Sequence, residues 1–435
     1  MNIQPDVFTR YESGARSYCR RFDHIFTSAS GSTLTDIKGR EYIDFLAACG
    51  ALNYGHNDPD MSAALIKHIQ GNGLSAALDM FSNSKARFLE AFAHYILKPR
   101  DLNYRVQFTG PTGTNAVEAA MKLARKVTGR RNIIAFTHGF HGVSLGALAA
   151  TGNDYHRMGM NLPDVTRLPF ENYAGAGFDS AAYLEQVLAD KSSGVTAPAA
   201  IILETVQGEG GLNVASASWL QAIAATAKKH GALLIVDDVQ AGCGRTGTFF
   251  SFEPLGVEPD LVVLSKSISG YGLPMALVLI KPEHDQWLPA EHNGTFRGNT
   301  HAFVTATVAL EKYWADTGFM QTINANAAIV RTRLQALAER IPGAYLKGRG
   351  MMQGIDVGSG ELADQISRQA FVNGLVIETS GAEDEVVKVL AALNTPATVL
   401  QQGFDRLTAA VDQVLGEATT ATDRPFSPAN INVAA

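Results

Sequence analysis

The chain has 435 residues, of which 46% are hydrophobic and 18% charged. At about 150 residues per domain that length predicts two or three domains, or one large domain with a smaller companion, and a core that needs neither disulfides nor metals. With 36 Lys+Arg against 42 Asp+Glu, the net charge of -6 excludes the basic footprint of a nucleic-acid binder or of a polybasic membrane-surface protein.

In chain order, the opening MNIQPDVFTRYES has no apolar core and does not read as a secretory signal. Cys19, Cys49 and Cys243 are odd in number and widely spaced, with no Cys-x-x-Cys, so the expected home is a reducing cytoplasm, with no metal site. Residues 32–45 read as a hairpin, with Asp36 and Gly39 near the turn. Short apolar runs then follow at 106–108, 132–136, 200–204, 233–237, 261–264 and 275–280. They have the length of strands buried on both faces and are too short for a membrane span, which needs about 20 residues.

Helical patterns separate several of these runs. Val117, Ala120, Met121, Ala124 and Val127 keep one face of a helix expected over 116–126. Residues 218–230 predict another, with Ser218 as cap and Gly231 as stop. Such alternation predicts an α/β fold with a mostly parallel central sheet flanked by helices. A long helical stretch follows residue 305, then strands and helices over 343–416, and residues 418–435 read as a loose tail. The expected organisation is a large domain over 51–310 and a smaller α+β domain built from both termini, 1–50 and 311–417.

Gly242-Cys243-Gly244-Arg245-Thr246-Gly247 matches G-x-G-x-x-G after a strong strand. A dinucleotide fingerprint opens a helix. Here Thr248-Phe249-Phe250-Ser251-Phe252 follows, and Asp237 and Asp238 stand where a pyrophosphate would arrive, so a nicotinamide site is disfavoured.

Four features fall at expected strand ends, where open α/β sheets place ligands. Gly110-Pro111-Thr112-Gly113-Thr114-Asn115 leads into a helix and could cradle a phosphate. Asp237 ends an apolar strand, and a buried acid needs a partner such as a protonated ring nitrogen. Lys266 follows another apolar strand, where partial desolvation suits a Schiff-base nucleophile. Gly139-Phe140-His141-Gly142 could lay a ring over a flat cofactor. Each feature alone has a plainer reading: a helix cap, a salt-bridged acid, a solvated lysine, a core aromatic with a turn histidine. Together they are the inventory that pyridoxal 5'-phosphate requires.

The order of these motifs resembles the class III (ornithine/GABA-type) aminotransferases of fold type I. The resemblance runs from Gly39-Arg40-Glu41-Tyr42-Ile43-Asp44-Phe45 and Asn53-Tyr54-Gly55-His56 to Gly348-Arg349-Gly350, and the spacing from Asp237 to Lys266, with Ser265 before the lysine, is its most specific part. Gly50-Ala51-Leu52-Asn53-Tyr54-Gly55-His56, Leu78-Asp79-Met80 and residues 108–116, 202–211, 236–248 and 292–299 are similar to the diaminobutyrate-specific branch. Members of that branch open ectoine biosynthesis, and others serve siderophore pathways. Ornithine or GABA aminotransferases and aminomutases share the same scaffold.

The resemblance implies that Lys266 binds the cofactor covalently and moves the proton, and that Asp237 pairs with the ring nitrogen. Gln240 meets the ring oxygen, and Val239 and Phe140 cover the two ring faces, with His141 beside them. Gly113 and Thr114 hold the phosphate, and Glu204 lies near the ring. Thr295 matches a threonine that reaches the phosphate of a neighbouring subunit, so a homodimer or higher homo-oligomer is implied. The implied substrates are an amino donor and a 2-oxo acid: glutamate with 2-oxoglutarate, and diaminobutyrate with aspartate semialdehyde.

Two departures bear on substrate binding. Ornithine-type members carry a carboxylate-binding arginine where this chain has Lys388, and the wider family has a glycine where it has Arg297. Arg297 or Lys388 is expected to help hold a substrate carboxylate, with Glu209 as the acid that masks the cation. The alternative is that both are surface charges.

Overall fold

The computed structural model describes residues 6–160 and 162–422. At its centre lies a seven-stranded sheet in the order Arg105–Phe108, Leu277–Ile280, Leu261–Leu264, Leu233–Asp237, Ala200–Leu203, Ile133–Phe136, Val165–Leu168. Leu277–Ile280 runs antiparallel to both its neighbours, and the remaining pairs are parallel. The sheet is therefore mostly parallel, as the apolar runs predict. The Val165–Leu168 strand escapes sequence reasoning because it is an edge: Val165, Thr166 and Arg167 stay partly exposed and form no apolar run.

Helix Gly113–Thr128 buries Val117, Ala120, Met121 and Ala124 among the strands, which is the face the sequence pattern marks. Helix Ala217–His230 ends at Gly231, whose φ of 64° is left-handed, but its cap is Ser216 and not Ser218. The Ser216 hydroxyl accepts from Trp219 N at 3.2 Å and is itself fixed by Glu171 at 2.6 Å, a residue too distant in sequence to guide the expectation.

The expected hairpin forms from Thr33–Asp36 and Glu41–Asp44, and Asp36 Oδ1 closes its turn by accepting from Lys38 N and Arg40 N. Phe26–Ser30 extends it on one side, while Leu375–Val376 pairs parallel with Glu41–Asp44 on the other, so the two ends of the chain meet in one sheet. Another sheet takes the order Tyr345–Arg349, Met352–Asp356, Val386–Val389, Glu378–Ser380. The helix Ala397–Thr422 continues past residue 418, so the start expected for the tail is too early: Ala and Thr still carry the helical hydrogen bonds there. The rest of that expected tail, 423–435, lies outside the described residues.

The Gly242–Gly247 run opens no helix; residues 239–252 are turns and bends. Arg245 is wholly buried there, donating to the carbonyls of Met351 and Ala391 and to Asn53 Oδ1. Gly244 adopts φ +92°, and a side chain on it would press on Ile323, Leu393 and Trp314. The glycines make a packed corner between the central sheet and the C-terminal part of the chain. Among the described residues no helix is long and apolar enough to cross a membrane.

Ser216→Ala removes the hydroxyl that accepts from Trp219 N and should cost about 1 kcal/mol of unfolding free energy. Ser218→Ala should cost clearly less; urea unfolding of the two variants checks the order.

Candidate active site

The central strands bring the chemistry to one edge. Lys266 follows Leu261–Leu264 directly after Ser265 and begins a short helical turn, with φ +52°. A left-handed conformation in a residue with a Cβ costs about 1–3 kcal/mol and needs support from its surroundings. Ser265 Oγ donates to Met275 O at 2.9 Å, and Ser267 Oγ donates to Gly50 O at 2.6 Å, pinning the turn on both sides.

Asp237 ends its strand and is buried. One oxygen accepts from Val239 N at 3.2 Å, and the other lies 2.8 Å from His141 Nδ1, which donates to it. Burial opposes charge on His141, but the hydrogen bond and charge of Asp237 outweigh it and raise the imidazole's pKa. His141 is held in turn through its backbone N–H on Thr151 Oγ1, 3.0 Å away. Glu204 accepts from Phe140 N at 2.9 Å and Gly208 N at 3.1 Å, fixing the loop that carries the ring, and burial pushes its carboxyl up.

At the start of the Gly113–Thr128 helix, the capping Thr112 serves Asn115 N. The N–H groups of Gly113 and Thr114 have no acceptor among the described residues, and both residues line the same cavity as Lys266. A Cβ on Gly113 would sit 3.0 Å from Val239 Cγ1, so any larger residue here would press on the Val239 side chain. The cavity measures about 190 Å³ and brings together Gly113, Thr114, Phe140, His141, Glu204, Asp237, Val239, Gln240 and Lys266, with Glu209 in its wall.

The remaining expected residues divide. Lys388 is fully buried, which excludes the surface-charge alternative for it. Its ammonium lies 3.0 Å from Glu209 Oε1 and 3.0 Å from Glu378 Oε1. Burial alone would raise the Glu209 carboxyl, but the ammonium groups of Lys388 and Lys266 bring it down to about 2. Arg297 does not line the cavity of its own chain: its guanidinium is held by Asp79 and by His292 O. Thr295 is exposed and likewise outside that cavity.

Three residues that support the site from behind its lining are not singled out from the sequence. Thr151 carries no local signal. Cys49 belongs to a run from Ala47 to Gly50 with positive φ throughout, and its carbonyl accepts from Gln240 Nε2 at 3.1 Å. Glu378 did leave a signal, an acid directly after the apolar run Leu375-Val376-Ile377, but nothing local says what it pairs with.

The chain matches the family described as aminotransferase class-III over residues 15–411. It belongs to the class III aminotransferases. The diaminobutyrate–2-oxoglutarate transaminase of Vibrio cholerae is 57% identical, with 92% of this chain and 98% of that protein covered. The transaminase of the same name from Halomonas elongata is 50% identical over 94% of this chain and 99% of its own length. In fold, the chain is similar to the ornithine aminotransferase of Toxoplasma gondii, with a TM-score of 0.82 at 24% identity and 94% of each chain covered.

Class III aminotransferases depend on pyridoxal phosphate and use an amino donor and a keto acid. The residues present fit that cofactor: unengaged N–H groups at a helix N-terminus suit a phosphate, and a buried acid suits a ring nitrogen. Among the described residues no cluster of His, Cys, Asp or Glu could hold a metal ion.

Asp238, next to Asp237 but outside the cavity lining, has one oxygen with no partner among the described residues, and burial pushes its carboxyl up to about 7. Between about pH 4 and pH 7 the folded chain keeps a proton that the unfolded chain has released, so the stability this group lends at low pH is lost as pH rises through that window. Asp238→Asn should flatten that part of the pH dependence, as read by urea unfolding near pH 5 and near pH 7.

Proposed function

We propose that this class III aminotransferase moves an amino group between glutamate and aspartate semialdehyde, forming diaminobutyrate and 2-oxoglutarate, and the reverse. The observation that carries the reading is the convergence of Lys266, the Asp237–His141 pair and the open N–H groups of Gly113 and Thr114 in one cavity. The substrate assignment rests on relatives of that name at 50–57% identity across nearly the whole chain.

Bound pyridoxal phosphate supplies an aldehyde for amino groups and a ring that accepts the electrons of a broken C–H bond. This chain's residues do the rest. Gly113 and Thr114 would hold the phosphate, Phe140 and Val239 would enclose the ring, and Gln240 would meet the ring oxygen. Asp237 would bind the ring nitrogen, and His141 keeps the Asp237 carboxylate oriented. Glu204 fixes the backbone beneath Phe140. Lys266, an amine within the cavity, would take the proton from the reacting carbon and deliver it to the carbon of the cofactor's aldehyde group, and the reverse in the other direction. Lys388 offers its ammonium to a substrate carboxylate when Glu209 turns aside.

The active unit is a homodimer in this reading. Thr295 reaches the phosphate site of the neighbouring copy, a role supported by its exposure and that of Phe296, 71% accessible beside it. The segments 1–50 and 311–417 act as one smaller domain beside 51–310, supported by the pairing of Leu375–Val376 with Glu41–Asp44. The three free cysteines suit a reducing cytoplasm.

Purified holoenzyme given diaminobutyrate and 2-oxoglutarate should produce glutamate and no carbon dioxide; ornithine and GABA should react at least about tenfold less efficiently, a difference of ~1.4 kcal/mol in transition-state binding. Failure to form glutamate from any of the three donors ends the aminotransferase reading. Lys266→Ala should lower kcat by about 10² to 10⁴, the range expected of a proton-transfer group, and abolish the absorbance of covalently bound cofactor. A yellow, fully active variant would refute the role of Lys266.

A further inference from the structure

Lys388 sits in an asymmetric cluster. Glu209 and Glu378 each place an oxygen 3.0 Å from its ammonium, and the Gly208 carbonyl lies at 3.5 Å. About a third of the Glu209 side chain is exposed, and this residue lines the Lys266 cavity. Glu378 is buried away from the cavity, and its other oxygen accepts from the Tyr18 hydroxyl at 3.3 Å and the Cys49 thiol at 3.8 Å. Glu209 Oε1 also accepts from Gln240 Nε2 at 3.1 Å, so both acids are held, but only Glu209 borders open space into which its side chain can turn.

The two half-reactions make opposite demands on this place. The reacting carbon of glutamate carries a carboxylate, whereas the distal carbon of diaminobutyrate carries none. A shared cavity therefore needs a cation that is open in one half-reaction and masked in the other. Glu209 can unmask Lys388 only if the ammonium it leaves keeps a counter-ion, because a buried charge without a partner is strongly unfavourable.

We propose that Glu378 is the positioning residue that keeps Lys388 paired and in place while Glu209 turns away, so that the carboxylate of glutamate or 2-oxoglutarate can take the vacated position. The inference rests on the aminotransferase reading with Glu209 as the mobile partner. One carboxylate replaces another, so the charge around Lys388 is the same before and after. Glu378 touches neither substrate nor cofactor; it acts through Lys388.

The test compares wild-type and Glu378→Gln holoenzyme in separate half-reactions followed by cofactor absorbance, one started with diaminobutyrate and one with glutamate. Calorimetry adds the affinity of 2-oxoglutarate for the enzyme in its aldehyde form, which binds that acid without reacting. Glu378→Gln should weaken 2-oxoglutarate binding and raise the glutamate concentration for half-maximal rate by about tenfold or more, with the diaminobutyrate half-reaction within about twofold of wild type. Equal losses in both half-reactions, or unchanged 2-oxoglutarate binding, would overturn the proposal; the second result would mean that a neutral group suffices at this position. Should Glu378→Gln not fold, Glu378→Asp, which keeps the charge but withdraws it by one methylene, should give a smaller loss of about threefold confined to the glutamate side; no such selectivity overturns the proposal. Glu209→Gln separates the two levels. If it alters the balance of the half-reactions and the Glu378 variants do not, the role of Glu378 fails alone. If it alters neither half-reaction, the reading of Glu209 fails.

Discussion

A carboxylate removed from water must find a partner, and that constraint organises this site. Asp237, Glu204, Asp238 and Glu378 are all buried within or beside it. Each is answered differently. Asp237 takes a histidine, Glu204 takes two backbone N–H groups, Glu378 takes an ammonium, and Asp238 takes one backbone N–H and is pushed toward its neutral form. The first two answers leave an oriented acid and an oriented aromatic loop facing Lys266. The partners of Asp237 and Glu204 thereby set the geometry of groups that line the cavity.

The sheet makes this possible. Parallel strands buried on both faces end along one edge, and each end delivers one residue or loop to it. Leu233–Asp237 delivers its acid, Leu261–Leu264 delivers the lysine, and Ile133–Phe136 delivers the loop with Phe140 and His141. Because these strands lie near one another in the sheet, residues far apart in sequence come within hydrogen-bond distance. The strained turn at Lys266 is stable there because Ser265 and Ser267 bond to different parts of the structure.

The cluster around Lys388 follows the same principle with a buried cation. A lysine offers a point charge without the two-pronged grip of an arginine. Here two acids and a carbonyl hold it from separate directions, which supplies the orientation that the side chain itself lacks. Sequence alone leaves Lys388 and Arg297 on equal terms. Folding separates them, placing one deep beside Glu209 and tying the other to Asp79.

Local order in the chain determined much of this protein. Short apolar runs marked six of the seven central strands, since burial on both faces demands uninterrupted hydrophobic residues. Gly113, Asp237 and Lys266 were legible because each follows such a run and so must stand at a strand end. The edge strand Val165–Leu168 and the cap at Ser216 were not, because partial exposure and a distant glutamate decide them. Spacing along the chain does not pair Asp237 with His141, 96 positions apart, and the resemblance left open whether Glu209 meets Arg297 or Lys388, the latter 179 positions away. Spacing along the chain fixes only what lies within a few residues. Which buried charge meets which partner is decided when strands and loops from distant segments pack together, and that choice belonged to the tertiary structure.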